Sequence, residues 1–462
     1  MRVTARVPSV PRVPPLPEPP TPSTAYLDVL EQQTAARAAE SEPVGSDHQG
    51  AAPDLHARLG AAVDDLGPDL CALLHRLHQD PETAFEETRA AASVAALLEE
   101  HGLPAAVGVH GLETAVRAEL VTPGFDPARH RTVAVLAEYD ALPEIGHACG
   151  HNVIAASAVG AVVALRRLLG ADPGCCEGRV VLLGTPAEEG HTGKEHLARA
   201  GAFDGIDAAV MLHPYAEDVA EQVWLGRRVA SATYTGVSAH ASAQPFLGRN
   251  ALDAASLAYQ GLGVLRQQVP PVDRLHAVIS EGGTRPSVIP STARLDLYVR
   301  SLHPETLLDL SRRVEDVLRG AAMMAGVEVD VAWDEHPPSL PVRTNAALTG
   351  RWALAQQARG RTPYPAGVIS ETLAASTDFG NVSYRLPGIH PLIKIAEPHV
   401  ALHTPEFAAA AASPAAEHAA VDGAYGLACT VLDLLVDDDL AAAVTAEFEA
   451  AGGAVDVARY FD

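Results

Sequence analysis

Apolar residues first recur with a regular period beyond residue 52. Leu70, Leu73, Leu74 and Leu77 fall at helical spacing, and Thr88 to His101, rich in Ala, Leu and Glu, reads as a second helix. Short apolar runs then alternate with helical stretches. The pattern predicts a strand over Thr132 to Ala137, a helix over Asn152 to Leu169 and a strand over Arg179 to Leu183. A helix over Gly193 to Ala200 and a strand over Ala208 to Leu212 follow. Strict alternation implies a mostly parallel sheet covered on both faces, the α/β class. In such sheets, ligands collect beyond the carboxyl ends of the strands.

Between Val229 and His336 the grammar changes. Strands are predicted over Arg228 to Gly236, Arg274 to Ser280, Ser291 to Arg300 and Val327 to Trp333; helices are predicted over Asn250 to Gln267, with Asn250 as N-cap, and over Pro304 to Ala325. The order βαββαβ is the ferredoxin-like split pattern, a complete small domain. After Val342 the α/β pattern resumes, with a helix over Trp352 to Ala358, a strand over Gly388 to Ala396 and a long helix from about Ala415 to Val436 opened by Ser413-Pro414. The expected organisation is a larger αβα domain in two parts, 53–228 and 341–440, carrying a ferredoxin-like insertion at 229–340. An acidic C-terminal extension, 441–462, is expected to form a peripheral helix or fray. Residues 1–52 mix Pro, Ser, Thr, Ala and Glu without period, and are expected to form a disordered tail outside the fold, interrupted by a helix over Ala25 to Ala39.

Composition narrows the function classes. The 462 residues are 48% hydrophobic, enough for a sizeable core, and carry a formal net charge of -25. That charge repels phosphate backbones and anionic bilayers, so neither nucleic acid nor a membrane surface is an expected partner. Five cysteines at irregular spacing do not make a disulfide framework and fit a reducing compartment. The proline-rich start lacks the apolar core of a signal peptide, and a cytoplasmic location is expected. The apolar run Ile154 to Leu165 is short of the ~20 residues that span a bilayer and reads as a buried helix.

The candidate chemistry lies at successive strand ends. Asp140 and Cys149-Gly150-His151 follow the first strand, Glu188-Glu189 the second, and His213-Pro214 closes the third. A thiolate and an imidazole two residues apart can hold one cation from one side. Adjacent carboxylates are rarely buried together unless a cation offsets one of them. Cys, His, Glu, Glu and His therefore form a mixed ligand set. His403 precedes a helix that Thr404 caps and Pro405 starts, but spacing alone does not separate it from His399, His390 or His147.

These motifs resemble the metallo-amidohydrolase branch of the co-catalytic metallopeptidase family that includes carboxypeptidase G, aminoacylases, plant auxin-conjugate hydrolases and p-aminobenzoyl-glutamate hydrolase. The resemblance runs from Leu74 to Leu435. It rests on His78-Gln79-Asp80-Pro81-Glu82 with Glu86, Asp140-Ala141-Leu142-Pro143, Cys149-Gly150-His151 and Pro186-Ala187-Glu188-Glu189-Gly190. It continues through Ser238-Ala239-His240-Ala241, Gly248-Arg249-Asn250-Ala251, Gly282-Gly283-Thr284, Val288-Ile289-Pro290, Ser376-Thr377-Asp378 and His403-Thr404-Pro405-Glu406-Phe407. It implies that Cys149, His151, Glu189, His213 and His403 bind two divalent ions, zinc, manganese or cobalt. Glu188 would be the general base, Asp140 would orient a ligand, and His240 would stabilise the oxyanion, in many relatives from the partner subunit.

Asn152 and the Ser376-Thr377-Asp378 stretch point within that family to a p-aminobenzoyl-glutamate hydrolase and dipeptidase subgroup. Ser287 stands where relatives commonly carry Asn, which bears on substrate preference. The expected reaction is hydrolysis of a small N-acyl amino acid, dipeptide or aminobenzoyl-glutamate-like amide, in a homodimer formed through the inserted domain. Asn250, Arg285 and Ser287 are candidate substrate contacts. Two rival readings stand beside it: a catalytically silent relative kept for binding or assembly, and a Cys149 nucleophile served by His151, whose two-residue spacing gives poor in-line geometry.

Overall fold

The computed structural model describes residues 22–461. The proline-rich stretch before residue 22 lies outside the described residues. Helix α1 (Ala25–Glu40) buries only Leu30 and touches the body through Arg37, whose guanidinium donates to the Gly367 carbonyl at 3.2 Å. Residues 41–52 correct the expectation of a tail outside the fold. Gln357 Nε2 donates to Val44 O at 2.7 Å and Arg351 Nη1 to His48 O at 2.7 Å. Gly50 N donates to Asp437 Oδ2 at 2.9 Å and Ala51 N to Asp433 Oδ1 at 2.7 Å. The strap is held through backbone groups that bond buried (Arg351, Asp433) and half-buried (Gln357, Asp437) polar side chains, a bond type that apolar periodicity does not encode.

Helices α2 (Pro53–Gln79) and α3 (Thr88–Glu100) lead into strands β1 (Ala105–Val107), β2 (Val116–Val121) and β3 (Thr132–Ala137). Then come α4 (His151–Ala171), β4 (Arg179–Gly184), α5 (Gly193–Arg199), β5 (Ala208–Val210) and β6 (His213–Tyr215). The main sheet runs β1-β2-β4-β3-β5 and ends on β11 (Gly388–Ile389). β4, β3, β5 and β11 are parallel, whereas β1 and β2 add an antiparallel edge. Ala137 pairs with Gly184, so the chain leaves β3 and β4 side by side at their carboxyl ends.

The strand expected over Ala208 to Leu212 stops at Val210. A separate β6 pairs in parallel with β12 (Leu392–Lys394), and the expected strand over Gly388 to Ala396 splits likewise into β11 and β12. Pro391, between β11 and β12, has no N–H to continue a ladder.

A second sheet is built from β7 (Gly226–Thr235), β8 (Arg274–Glu281), β9 (Thr292–Ser301) and β10 (Glu328–Trp333), with α6 (Ala251–Leu265) and α7 (Pro304–Ala325). Its order is β10-β7-β9-β8, antiparallel throughout, and it has its own core around Ala232, Tyr234, Leu295, Leu310 and Val314. The chain enters and leaves this unit at one place: Arg227 N donates to Ser339 O at 2.7 Å and Ser339 N to Arg227 O at 2.9 Å.

The main layer closes with α8 (Ala346–Ala358), α9 (Phe379–Ser383), α10 (Pro405–Ala410), α11 (Pro414–Val436) and α12 (Asp438–Ala450). α12 runs across the boundary expected at residue 440 and buries Leu440, Val444 and Phe448, so the C-terminal extension is a docked helix followed by a short turn. α4 and α11 are each long and apolar enough to cross a bilayer, yet 83% of each window is buried within this protein, and they pack on one another. Burial on all sides explains their continuous apolar sequence.

Candidate metal centre

Three strand ends deliver the donors. The loop after β3 places Asp140 and returns through Cys149 and Gly150 to His151, the first residue of α4. Gly150 has φ 80°, and a Cβ there would stand 2.5 Å from Pro214 Cγ, so only glycine lets this loop close on the strand that carries His213. The turn after β4 carries Glu188 and Glu189. His403 arrives from the far end of the chain in a left-handed conformation, φ 61°, which its N–H bond to Ala148 O at 2.9 Å restrains.

The donor atoms of Cys149, His151 and His213 lie within 4.8 Å of one another, as do those of Cys149, Glu189 and His403, and those of His151, Glu188 and Glu189. Cys149 therefore belongs to two overlapping triads. His213 Nδ1 donates to Pro214 O at 2.7 Å, which leaves Nε2 with its lone pair 3.3 Å from Cys149 Sγ. Burial and then His151 lower the His213 pKa to about 3, so the ring is neutral and ready to ligate. His403 Nε2 stands 3.2 Å from Glu189 Oε1. His151 Nε2 is buried with no hydrogen-bond partner among the described residues, the state of a ring nitrogen reserved for something else.

Asp140 ties two of these donors together. Its Oδ1 accepts from His151 Nδ1 at 3.0 Å and its Oδ2 accepts the Glu189 N–H at 2.9 Å. Behind them, Glu138 Oε2 lies 3.4 Å from His151 Nε2, while the fully buried Lys194 ammonium bridges Glu138 and Asp378. Burial, then the Glu138, Glu189 and Asp378 carboxylates, hold the Glu188 carboxyl well above the usual range. Burial, then Glu189, push the Cys149 thiol up as well. Glu138, Asp140, Glu188, Glu189 and Asp378 gather at this centre, and Lys194 pairs with only two of them, a surplus of acid that divalent cations would offset.

The donors open on a cavity of about 280 Å³. Cys149, Glu188, Glu189, His213, Asp378 and His403 line it together with Trp224, Arg227 and Arg300. Arg227 and Arg300 are direct cross-strand partners on β7 and β9, and both rest on the Tyr298 ring, at 5.6 and 5.5 Å. Trp224 Nε1, Arg227 Nε and Arg300 Nε are buried without acceptors among the described residues.

Residues 134–418 match the family model described as peptidase family M20/M25/M40. The chain belongs to this family. It is 38% identical to Xaa-Arg dipeptidase of Mus musculus over 86% of this chain and 92% of the relative. It is 29% identical to a component of the p-aminobenzoyl-glutamate hydrolase of Escherichia coli over 78% of this chain and 88% of the relative. A dinuclear metal-binding peptidase of the M20 family from Bacillus subtilis shares the fold, with a TM-score of 0.59 at 21% identity, covering 80% of this chain and 99% of that one. This M20 protein is accordingly a peptidase or amidohydrolase.

Within the M20 chain, the seven residues Asp140, Cys149, His151, Glu188, Glu189, His213 and His403 lie together. His240, Asn250, Arg285 and Ser287 do not join them; none lines the cavity that holds the donors. His240 is exposed, and its Nδ1 accepts the N–H groups of Ser242 and Ala243 at 3.3 and 3.1 Å. Asn250 caps α6, with Oδ1 accepting from Leu252 N at 3.0 Å and Nδ2 donating to Asp253 at 2.8 Å. Arg285 and Asn250 border a separate hollow on the second sheet unit, and the adjacent Ser287 accepts the Ala241 N–H through its carbonyl at 3.0 Å. Residues that motif reading passed over take the cavity instead: Trp224, Arg227 and Arg300, with Lys194 and Glu138 behind the donors. Lys194 had a signal, being one of only two lysines in the chain. In the stretch that begins with the Pro81-Glu82 motif, Glu82 and Glu87 are buried, whereas Glu86 is exposed.

Proposed function

We propose that this M20 protein is a metal-dependent dipeptidase or amidohydrolase that cleaves a small amide bearing a free carboxylate: a dipeptide, an N-acyl amino acid or an aminobenzoyl-glutamate-like substrate. The observation that carries this reading is the overlap of two donor triads on Cys149. Cys149, His151, Glu189, His213 and His403 would hold two divalent ions. The thiolate favours zinc, while the imidazole and carboxylate majority also suits manganese or cobalt. When bound, such ions supply Lewis acidity toward the scissile carbonyl and toward a water.

The chain's own groups do the rest. Glu188 takes the proton of the attacking water and returns it to the leaving amine. Asp140 keeps His151 and the Glu189 peptide in register with each other. Arg227, Arg300 and the Trp224 indole receive the substrate carboxylate. Two guanidiniums opposite one another repel unless an anion lies between them, and buried N–H donors need an acceptor.

Residues 226–339 are read as a ferredoxin-like insertion serving as lid and dimerisation unit. Support comes from its strand order and from β8, an edge strand with Val278 exposed. His240, exposed and with Nδ1 accepting backbone N–H groups, is read as acting on the partner subunit's substrate. Five free cysteines, one of them a ligand that must stay reduced, support a cytoplasmic location.

The names of the relatives select the test panel. Metal content is measured by mass spectrometry, and hydrolysis is followed on Xaa-Arg dipeptides, N-acetyl amino acids and p-aminobenzoyl-glutamate. Two ions per chain are expected, with turnover that a chelator removes and the same metal restores. Metal-loaded protein inert on the whole panel would favour a catalytically silent binding protein instead.

A further inference from the structure

The loop between α2 and α3 reaches into the metal centre from behind. Glu82 spends its carboxylate on the start of α3, accepting from Arg89 N at 2.7 Å and Ala90 N at 2.8 Å. Glu87, with no exposed surface, turns the other way. Its Oε1 accepts the N–H of Ala187 at 2.9 Å and of Phe85 at 2.9 Å, and its Oε2 accepts from Thr114 Oγ1 at 2.8 Å.

Ala187 is the residue before Glu188, and it is left-handed, with φ 60°. That conformation is unfavourable for a residue with a Cβ and persists only where its surroundings impose it. The turn is gripped from the other side too: Gly193 N donates to Ala187 O at 3.0 Å, and a Cβ on Gly193 would stand 1.7 Å from Pro186 O. The two adjacent glutamates are anchored separately. Glu189 has its N–H on Asp140, whereas the Pro186–Ala187 peptide, one before the peptide that enters Glu188, is tied to Glu87.

We propose that Glu87 is a positioning residue for hydrolysis: its carboxylate holds Ala187 left-handed and so aims Glu188 into the cavity, while the metal ligands keep their own supports. This rests on the reading of Glu188 as the proton carrier. Glutamine at position 87 can present the same Oε1 to both N–H groups and donate from its amide to Thr114 Oγ1. Alanine leaves both donors empty. Aspartate keeps the charge but draws the acceptor back by one methylene.

The test measures kcat, KM and metal content of the full-length variants on the dipeptide that wild type hydrolyses best. Glu87→Gln is expected to keep kcat within about threefold. Glu87→Ala is expected to lose on the order of 100-fold in kcat, the effect of misplacing a reacting group by ~1 Å. KM should move far less, and both ions should stay bound. Glu87→Asp should fall in the same direction and covers the case in which the alanine variant does not fold. Adding Ala187→Gly to Glu87→Ala should recover tenfold or more, because glycine takes φ 60° without strain. A crystal structure of Glu87→Ala should show Ala187 out of the left-handed region.

Wild-type kcat in folded Glu87→Asp or Glu87→Ala overturns the proposal, as does an equal loss in Glu87→Gln or an unmoved Ala187. A Glu188→Gln variant with undiminished kcat would instead remove the reading of Glu188 on which the proposal stands.

Discussion

Lys194 Nζ lies 2.5 Å from Asp378 Oδ1, and neither side chain is more than 1% exposed. Burial alone would pull the lysine pKa down, but Asp378 and then Glu138 push it up, so the ammonium stays charged at the back of the metal centre. Removing one partner of such a group leaves the others as uncompensated buried charges. Lys194→Met is therefore expected to lose about 3–5 kcal/mol of stability, read from urea unfolding of the metal-free protein. A loss under about 1 kcal/mol would mean that Glu138 and Asp378 take up protons at little expense.

Glu188→Gln separates proton transfer from metal binding. The amide cannot accept the proton of water, and general acid–base catalysis typically contributes about 10²–10⁴-fold. The expected outcome is a kcat reduced by at least that factor, with metal content and thermal stability as in wild type. A variant near full activity would assign the proton to another group.

The cavity arginines should report on the substrate's carboxylate. Arg300→Met removes one charged donor while keeping most of the side-chain volume, and hydrogen bonds to charged groups are worth about 1.5–3 kcal/mol. KM for a free-acid dipeptide is expected to rise by about 10- to 100-fold, while the corresponding C-terminal amide changes little. Equal effects on acid and amide would show that Arg300 does not hold the carboxylate.

Glu87 carries a pH signature of its own. Burial, then Asp140, raise its pKa to about 7 from an ordinary 4.5. The folded protein thus retains a proton that the unfolded chain releases. The associated stability is fully present below about pH 4.5 and is lost as pH rises toward 7. Glu87→Gln has no such proton, so it should gain on wild type by roughly 3 kcal/mol across that interval and by nothing further above it. Parallel denaturation curves at pH 4.5 and pH 8 would show that Glu87 is ionised throughout.

The chain displays its parallel layer openly, because α4 and the strands around it are apolar at almost every position, and burial on both faces needs no partner information to read. The donors were legible for a related reason: Cys149, Glu188-Glu189 and His213 follow apolar strands, where polar residues have little purpose except a site. Arg300 was not. It alternates with Arg294, Asp296 and Tyr298 on the face of β9 away from the helices, and alternation alone cannot say whether that face meets water or the metal centre. Arg227 becomes informative only when the register sets it opposite Arg300. The backbone strap at 41–52 was illegible because its partners, Arg351, Gln357, Asp433 and Asp437, lie hundreds of residues away.

The paired bonds between Arg227 and Ser339 matter for how the protein is made as well as for how it stands. His403 and β11 emerge from the ribosome long after β5 and the other donors, separated from them by the whole second sheet unit. Left as a flexible loop, that stretch would impose an entropic penalty on every later contact. Folded first, as a unit with its own core, it brings its two ends within one hydrogen-bond length of each other, so the late segment starts beside the sheet it must join. Among the donors of the centre, His403 is then the last to arrive, just ahead of the α11 helix that packs on α4.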